Sequence, residues 1–147
     1  MKKISVFLMA AVLALSICAC GSAPANNGGE QTKEPTSPPD LTGEWKQVNS
    51  NSEDAWQAAT ISDSEIIINW VSDNGDTKSL YWAGTFVAPT TPDEPYSWDS
   101  QNDKEQTSLA LLASGDDTKT FTYADGQLSY EAGALGTTMT IRMEKVG

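Results

Sequence analysis

The sequence predicts an all-β domain, a small antiparallel barrel of eight strands, within residues 41–147. Three observations support this class. Apolar residues alternate with a period of about two rather than about 3.6. Turn sequences rich in Asp, Asn and Gly separate the apolar segments, and neighbouring segments are close enough to pair as hairpins. Such a meander can close into a barrel. A β-sandwich is the alternative.

The first four strands are predicted at residues 43–49, 55–61, 64–71 and 77–87. In the third of these, Ile66, Ile68 and Trp70 share one face. The turn at residues 73–76 joins the third and fourth strands as a hairpin. Ser52 is also a suitable cap for a helical turn or two over residues 52–59.

The remaining strands are predicted at residues 107–113, 118–123, 127–131 and 137–145, with a ninth as an open alternative near residues 96–98. Turns at residues 114–117 and 124–126 separate the first three of these. Residues 88–99 contain Pro89, Pro92 and Pro95, a composition that predicts a loop projecting from the sheet.

Composition excludes several classes of function. The chain has 147 residues, a formal net charge of −11 and no histidine. Without histidine there is no imidazole base for a Ser-His-Asp system and no histidine ligand for zinc. The excess of acidic residues argues against nucleic acid as a partner. We therefore predict no enzyme activity, no catalytic residue and no cofactor.

Two acidic turns carry the oxygen ligands that calcium prefers, at residues 73–76 and 116–117. Neither has the ligand spacing of an EF-hand loop. Turn formation by Asp and Asn explains both, so no metal site is predicted.

The first nineteen residues have the pattern of a signal peptide. Lys2 and Lys3 precede an uncharged apolar stretch at residues 4–19, which is shorter than a membrane-spanning helix requires. The sequence Ile17-Cys18-Ala19-Cys20 resembles the lipobox of bacterial lipoproteins. This resemblance implies cleavage before Cys20, acyl chains on Cys20, loss of Cys18 with the leader, and anchoring to the extracytoplasmic face of a cell membrane.

Residues 20–40 then form the predicted link between the lipid and the folded domain. From Gly21 to Asp40 there are four prolines and three glycines but no Leu, Ile, Val, Met or aromatic residue. Such a segment cannot bury enough apolar surface to offset its ordering entropy, so we expect a disordered tether. The domain at residues 41–147 is expected to be a monomer.

The start of this domain, Leu41-Thr42-Gly43-Glu44-Trp45, resembles the Gly-x-Trp signature in the first strand of lipocalins and lipocalin-like bacterial domains. Arg142 in the last strand resembles the arginine that these proteins place near that tryptophan. Alternation, however, puts Arg142 on the face opposite Met139, Ile141 and Met143. The resemblance implies a lipocalin-like barrel and transfers no ligand or enzymatic residue.

Five tryptophans are many for this domain: Trp45, Trp56, Trp70, Trp82 and Trp98. Trp45 and Trp70 fit the inward face and are predicted core residues. Trp82 shares a strand face with Leu80 and Phe86, whereas Tyr81 points the other way. At least one aromatic side chain of this strand is therefore expected to be exposed or to line a cavity.

Trp82, Tyr96 and Trp98 are the candidate ligand-binding residues. Trp98 and Tyr96 stand beside the proline-rich loop, where an aromatic ring can meet a ligand or a partner. The favoured function is a membrane-anchored binding module for a small apolar or carbohydrate ligand.

Two alternatives from other classes stay open. The first is a protein-interaction role, as an inhibitor or an envelope assembly factor that uses the acidic face and the loop at residues 89–95. The second and least favoured is a hydrolase that acts through carboxylates among Asp93, Glu94 and Asp99, which would need one of them in an apolar pocket.

Overall fold

A computed structural model describes residues 37–134 and 136–147 of the protein. The predicted signal peptide at residues 1–19, Cys20 and most of the tether lie outside the described residues. No helix within the described part is long and apolar enough to cross a membrane.

The described chain contains eight strands and one short helix. In chain order they are β1 (Gly43–Gln47), β2 (Trp56–Ile61), β3 (Glu65–Ser72), β4 (Thr77–Thr85), β5 (Tyr96–Gln101), α1 (Lys104–Thr107), β6 (Thr118–Ala124), β7 (Gln127–Ala134) and β8 (Thr137–Lys145). A single 3₁₀ turn, Asp73–Gly75, joins β3 to β4.

All eight strands belong to one antiparallel sheet in the order β4-β3-β2-β1-β8-β7-β6-β5. Strands β1 and β8 pair directly, with Trp45 opposite Lys145 and Gln47 opposite Met143. The sheet curls until its edge strands, β4 and β5, meet. The predicted eight-stranded antiparallel barrel is therefore confirmed against the sandwich alternative.

The two ends of the barrel differ in their connections. We call the end that holds the β1–β2, β3–β4 and β7–β8 connections the upper end. The chain enters at the opposite, lower end, where Leu41 packs under the sheet and accepts a hydrogen bond from Trp45 Nε1 through its carbonyl oxygen at 2.9 Å. Trp45 is buried, as predicted, and Arg142 lies exposed on the outer face of β8, on the other side of the sheet.

The two edge strands, β4 and β5, meet along a seam that closes the barrel with few backbone hydrogen bonds. Gly84 and Asn102 form one isolated antiparallel bridge. The amide of Gln101 donates to Thr85 Oγ1 at 2.9 Å, so a side chain replaces a backbone acceptor. A Cβ atom on Gly84 would lie 2.5 Å from the carbonyl oxygen of Gln101. The close approach of the two edges therefore requires glycine at this position.

Residues 102–117 cover the rest of the free edge of β4. The amide of Asp103 donates to the carbonyl of Ala83, and the amide of Ser114 donates to the carbonyl of Tyr81, both at 2.8 Å. The Asp103 side chain also caps α1 by accepting from the amides of Glu105 and Gln106. These contacts protect the edge of β4, which would otherwise expose unpaired backbone N–H and C=O groups.

The strand predicted at residues 107–113 is wrong, because Thr107 ends α1 and turns follow. The strand at this edge of the sheet is β5 instead. It includes the ninth strand that the sequence offers as an alternative near residues 96–98, and it continues to Gln101. The proline-rich loop accordingly ends at Pro95. The helical turn over residues 52–59 is also wrong, since β2 begins at Trp56.

Side chains fill the interior of the barrel. A chain of aromatic rings runs through it, with successive centroids 5.0 to 6.4 Å apart. Its members, in order, are Tyr96, Trp98, Phe121, Tyr130, Tyr81 and Trp70. Trp70 lies on the inward face, as predicted, but at the upper end, where it is only partly buried.

A bulge in β4 explains why the expectation of an exposed aromatic residue in that strand is wrong. Ile68 pairs with Trp82 and Asn69 pairs with Leu80, which leaves Tyr81 as the extra residue. Tyr81 and Trp82 are consequently both buried, at 2% and 0% exposure.

A buried lysine holds the segment at residues 102–117 to the barrel. Lys119 is 6% exposed, and its Nζ donates to Asp116 Oδ2 at 2.9 Å and to the carbonyl of Glu131 at 3.1 Å. The ammonium also lies 5.4 Å from the ring centre of Tyr81 and 5.3 Å from that of Trp82. Its charge is thus compensated from several sides.

Replacing Gly84 by alanine should destabilise the barrel by about 1–3 kcal/mol, because the new Cβ forces the two edges apart. Urea unfolding followed by tryptophan fluorescence measures the loss. Gly133→Ala is the control, since a Cβ there meets nothing within 4 Å. It should change stability by no more than about 0.5 kcal/mol. Equal stability of the two variants would contradict this account of the seam.

The contribution of Asp116 to the free energy of unfolding should depend on pH. A hydrogen bond from Ser114, followed by the interaction with Lys119, lowers the pKa of Asp116 below its usual value of 3.8. Its stabilisation is therefore complete above that usual value and is lost as the pH falls through the lowered pKa. We expect Asp116→Asn to cost less than about 1 kcal/mol at neutral pH, because the carboxylate is largely exposed, and progressively less as the pH falls below 3.8 through the lowered pKa.

Urea unfolding of both proteins across this pH range measures the difference. Asp93→Asn, at an exposed carboxylate, is the matched control and should match the wild type throughout. A cost of Asp116→Asn that persists unchanged into acid would disprove the assignment.

Candidate functional site

The candidate ligand residues from the sequence take part in packing. Trp82 is fully buried and donates through Nε1 to Ser100 Oγ at 3.0 Å, within the seam. Tyr96 and Trp98 stack on each other at the lower end with centroids 5.8 Å apart. The Tyr96 hydroxyl donates to the carbonyl of Val87 at 2.7 Å. These three residues line none of the four pockets described for residues 37–147, and their role in ligand binding stays a prediction.

The carboxylates considered for hydrolysis are exposed. Glu94 accepts a hydrogen bond from the amide of Asp125 at 2.6 Å, and Asp99 accepts one from Thr120 Oγ1 at 2.6 Å. Both therefore join neighbouring strands and turns. Among the described residues there is also no group of three or more acidic or cysteine side chains placed to hold a metal ion.

A groove of about 270 Å³ crosses the outer face of β1, β2 and β3 and reaches Lys78 on β4. We call it the Trp56 groove. Strand alternation creates it, because Trp56, Ala58 and Thr60 point outward from β2 while Gln57, Ala59 and Ile61 point inward. Small side chains form its floor, and larger ones form its walls.

Six side chains with polar atoms line the walls of the Trp56 groove. Each has a polar atom that forms no hydrogen bond with another described residue. They are Glu44, Lys46, Trp56, Thr60, Asn69 and Lys78. Together they offer donors, acceptors and one aromatic ring around the same space.

The two lysines of the groove stand out in a strongly acidic protein. Lys46 Nζ lies 4.0 Å from the ring centre of Trp56, a cation–π contact that orients the indole. Lys78 pairs with Val71 across the β3–β4 ladder, so it lies on the same outer face. Neither forms an ion pair within the described part of the chain, whose two ion pairs involve Lys104 and Lys119.

A second pocket of about 190 Å³ opens at the upper end, and we call it the upper mouth. Trp70, Met139 and Ile141 give it apolar walls, and the β1–β2 connection forms its rim. Trp56 lines both the upper mouth and the Trp56 groove. One tryptophan thus separates a mainly apolar recess from a polar groove.

Buried polar groups lie next to the upper mouth. The Tyr130 hydroxyl donates to Gln57 Oε1, and the amide of Gln57 donates to Gln47 Oε1 at 2.8 Å. Gln57 Nε2 and the Tyr81 hydroxyl are buried without a hydrogen-bond partner among the described residues. Burial raises the pKa of Tyr130 well above its usual value, so its hydroxyl remains a donor at neutral pH.

Sequence reasoning missed Trp56 as a site residue. The sequence predicts both a strand and a helical turn around Trp56, and these two predictions place its side chain differently. The alternation in residues 56–61 was sufficient to put Trp56 and Thr60 together on the polar face. The contribution of β3 and β4 to the groove depends on strand order.

Comparison with known proteins adds no assignment, since no protein family, curated protein or solved structure matches this chain.

The buried tyrosines should respond oppositely to loss of their hydroxyl groups. Tyr130→Phe leaves Gln57 Oε1 without its donor and should cost about 1–3 kcal/mol of stability. Tyr81→Phe removes a buried hydroxyl that has no partner and should be neutral or stabilising by up to about 1 kcal/mol. Urea unfolding of both variants measures the two effects, and a similar loss in each would refute this description of the interior.

Proposed function

We propose that the protein is a lipid-anchored extracytoplasmic binding module that holds a carbohydrate in the Trp56 groove. The filled interior argues against a carrier that encloses a large apolar ligand. The barrel is compatible with binding a small ligand, and the most suitable surface is on its outside. The observation that carries the proposal is the set of unpaired polar side chains around Trp56.

The chemistry of the Trp56 groove matches that of a sugar. A sugar ring presents a face of C–H bonds and a rim of hydroxyl groups, and an indole ring packs against such a face. Each hydroxyl both donates and accepts. Lys46 and Lys78 supply donors, Glu44 supplies acceptors, and Asn69 supplies both.

Size and access also support this ligand class. The groove is slightly smaller than the range of about 300–1,000 Å³ that is usual for drug-sized ligands. A single sugar unit, or the end of a longer chain, suits this volume. A sugar that packs on Trp56 displaces the flexible Lys46 ammonium from the ring, and the ammonium then binds the hydroxyl groups of the sugar.

The proposed anchor rests on the sequence around Cys20. Two or more acyl chains hold a protein at a membrane far more firmly than one chain, which binds only reversibly. The predicted tether would keep the domain near that surface.

Replacing Trp56 by alanine should weaken saccharide binding by about ten-fold or more, because the packing surface for the sugar is lost. Titration calorimetry of the whole chain with a panel of neutral and acidic oligosaccharides measures the affinity. Arg142→Gln is the control, since Arg142 is an exposed cation on the outer face of β8, outside the Trp56 groove. If no saccharide binds, or if Trp56→Ala binds as tightly as the wild type, the groove assignment fails.

The anchor has an independent test. In a bacterial host, Cys20→Ser should keep its leader and take up no labelled palmitate, because the acceptor sulfur is gone. Cys18→Ser should be processed and labelled normally, since Cys18 is removed with the leader. Mass spectrometry and fatty-acid labelling distinguish these products. Label on the Cys20→Ser protein would rule out the lipid anchor.

A further inference from the structure

Three leucines close together in the sequence project into solvent beside the β4–β5 seam. Leu109, Leu111 and Leu112 are 90%, 97% and 53% exposed. We call this group the leucine tip. Isolated exposed leucines are common, but a compact group with such exposure marks a surface that contacts something apolar.

The structure presents the leucine tip on a fixed backbone. On one side α1 is capped by Asp103, and buried Thr107 donates through Oγ1 to Asn102 Oδ1. On the other side the amide of Ser114 donates to the carbonyl of Tyr81 at 2.8 Å. Both ends of the projecting segment are thus held to the barrel, and the exposure of the leucines follows from the fold.

The electrostatics of the leucine tip differ from those of the whole protein. Residues 106–115 contain no charged side chain, although the chain has a formal net charge of −11. Of the acidic groups that flank this segment, Glu105 is exposed and forms no ion pair among the described residues, whereas Asp117 lies 3.1 Å from Lys104 Nζ and Asp116 lies 2.9 Å from Lys119 Nζ. Repulsion from an anionic surface is therefore weaker here than the net charge implies.

We propose that the leucine tip inserts into the lipid bilayer to which the protein is anchored. Flexible apolar side chains that project from the protein can be accommodated by the acyl chains of a lipid bilayer. Because the segment carries no charge, moving it from water into the bilayer costs little desolvation energy. Behind the tip, a recess of about 330 Å³ between Leu80 and Leu112 offers an apolar contact for an acyl chain.

The tether permits this contact. The disordered tether that the sequence predicts at residues 21–40 would have a typical reach of about 25 Å and a limit of about 70 Å. The longest strands contain nine residues and span about 30 Å. A barrel on such a tether can turn any of its sides to the membrane, and this step rests on the proposed anchoring. Insertion would then hold the barrel in one orientation.

The test places an environment-sensitive fluorophore at the leucine tip. The whole chain carries Cys18→Ser and Cys20→Ser, so that no thiol and no lipid attachment site remains, together with Leu111→Cys for labelling with a nitrobenzoxadiazole dye. The matched control carries Ser62→Cys, in the exposed β2–β3 turn. Both proteins are mixed with phosphatidylcholine vesicles and then with vesicles that contain acyl-chain spin labels.

Insertion predicts a blue-shifted, brighter label at position 111 that the acyl-chain spin labels quench, and an unchanged label at position 62. Adding Leu109→Ser and Leu112→Ser should shift the insertion equilibrium towards water by about ten-fold or more, because two of the three apolar groups are lost. These two side chains are exposed, so the variant should unfold in urea at the same midpoint as its parent.

Three results would overturn the proposal. One is a label at position 111 that stays in water while the chain sediments with the vesicles. Another is a chain that does not bind the vesicles at all. The third is a blue shift without lipid that grows with protein concentration, since it would assign the leucine tip to a second copy of the chain. The labelled protein lacks Cys20, so none of these results depends on lipidation, which the palmitate experiment tests separately.

Discussion

The close approach of Gly84 to residues 100–102 is the contact on which the barrel depends. A sheet of this strand order is continuous through β1 and β8, so only the β4–β5 seam turns a curved sheet into a closed one. The seam has few backbone bonds and is completed by side chains, among them the indole of Trp82 on Ser100. Residues 102–117 then cover the remaining edge, and their attachment presents the leucine tip.

The closed seam also determines where a ligand can bind. Once β4 and β5 meet, the aromatic side chains of both halves pack together in the interior, and the two pockets considered for ligand binding among residues 37–147 open at the surface. The function that we propose accordingly uses a groove between side chains on the outer face of the sheet. The Trp56 groove and the leucine tip lie on different strands and differ in chemistry, one polar with an aromatic ring and one purely apolar. A module that binds a sugar at one surface and a membrane at another would hold its ligand at a defined position near the envelope.

Much of the fold was predictable from the local pattern of residues. Seven of the eight strands, all but β5, were predicted: β8 has its predicted bounds, and the ends of the other six differ from the prediction by three residues or fewer. The exception came from residues 107–113, an apolar run that has no partner strand. The edge position that it would need is taken by β5, and the prolines that precede this strand, up to Pro95, weaken its signal in the sequence. Of the candidate ligand residues, Trp82 and Trp98 were chosen for their size and position in the sequence, yet large aromatic side chains serve a core as well as a site.

The sequence by itself determined the alternation that separates inner from outer faces, the turns of the β3–β4 and β6–β7 hairpins, the acidic composition and the lipobox-like segment at Cys20. These are properties of neighbouring residues, and their physics acts over a few positions of the chain. Only the tertiary structure decided which strands meet at the seam. It also decided that the bulge at Tyr81 turns two successive aromatic side chains inward. Finally, it decided that β1 to β4 bring four side chains around one groove: Trp56, Lys46, Asn69 and Lys78. Those outcomes depend on pairing between distant segments, where the free energy of closing the barrel outweighs local preference.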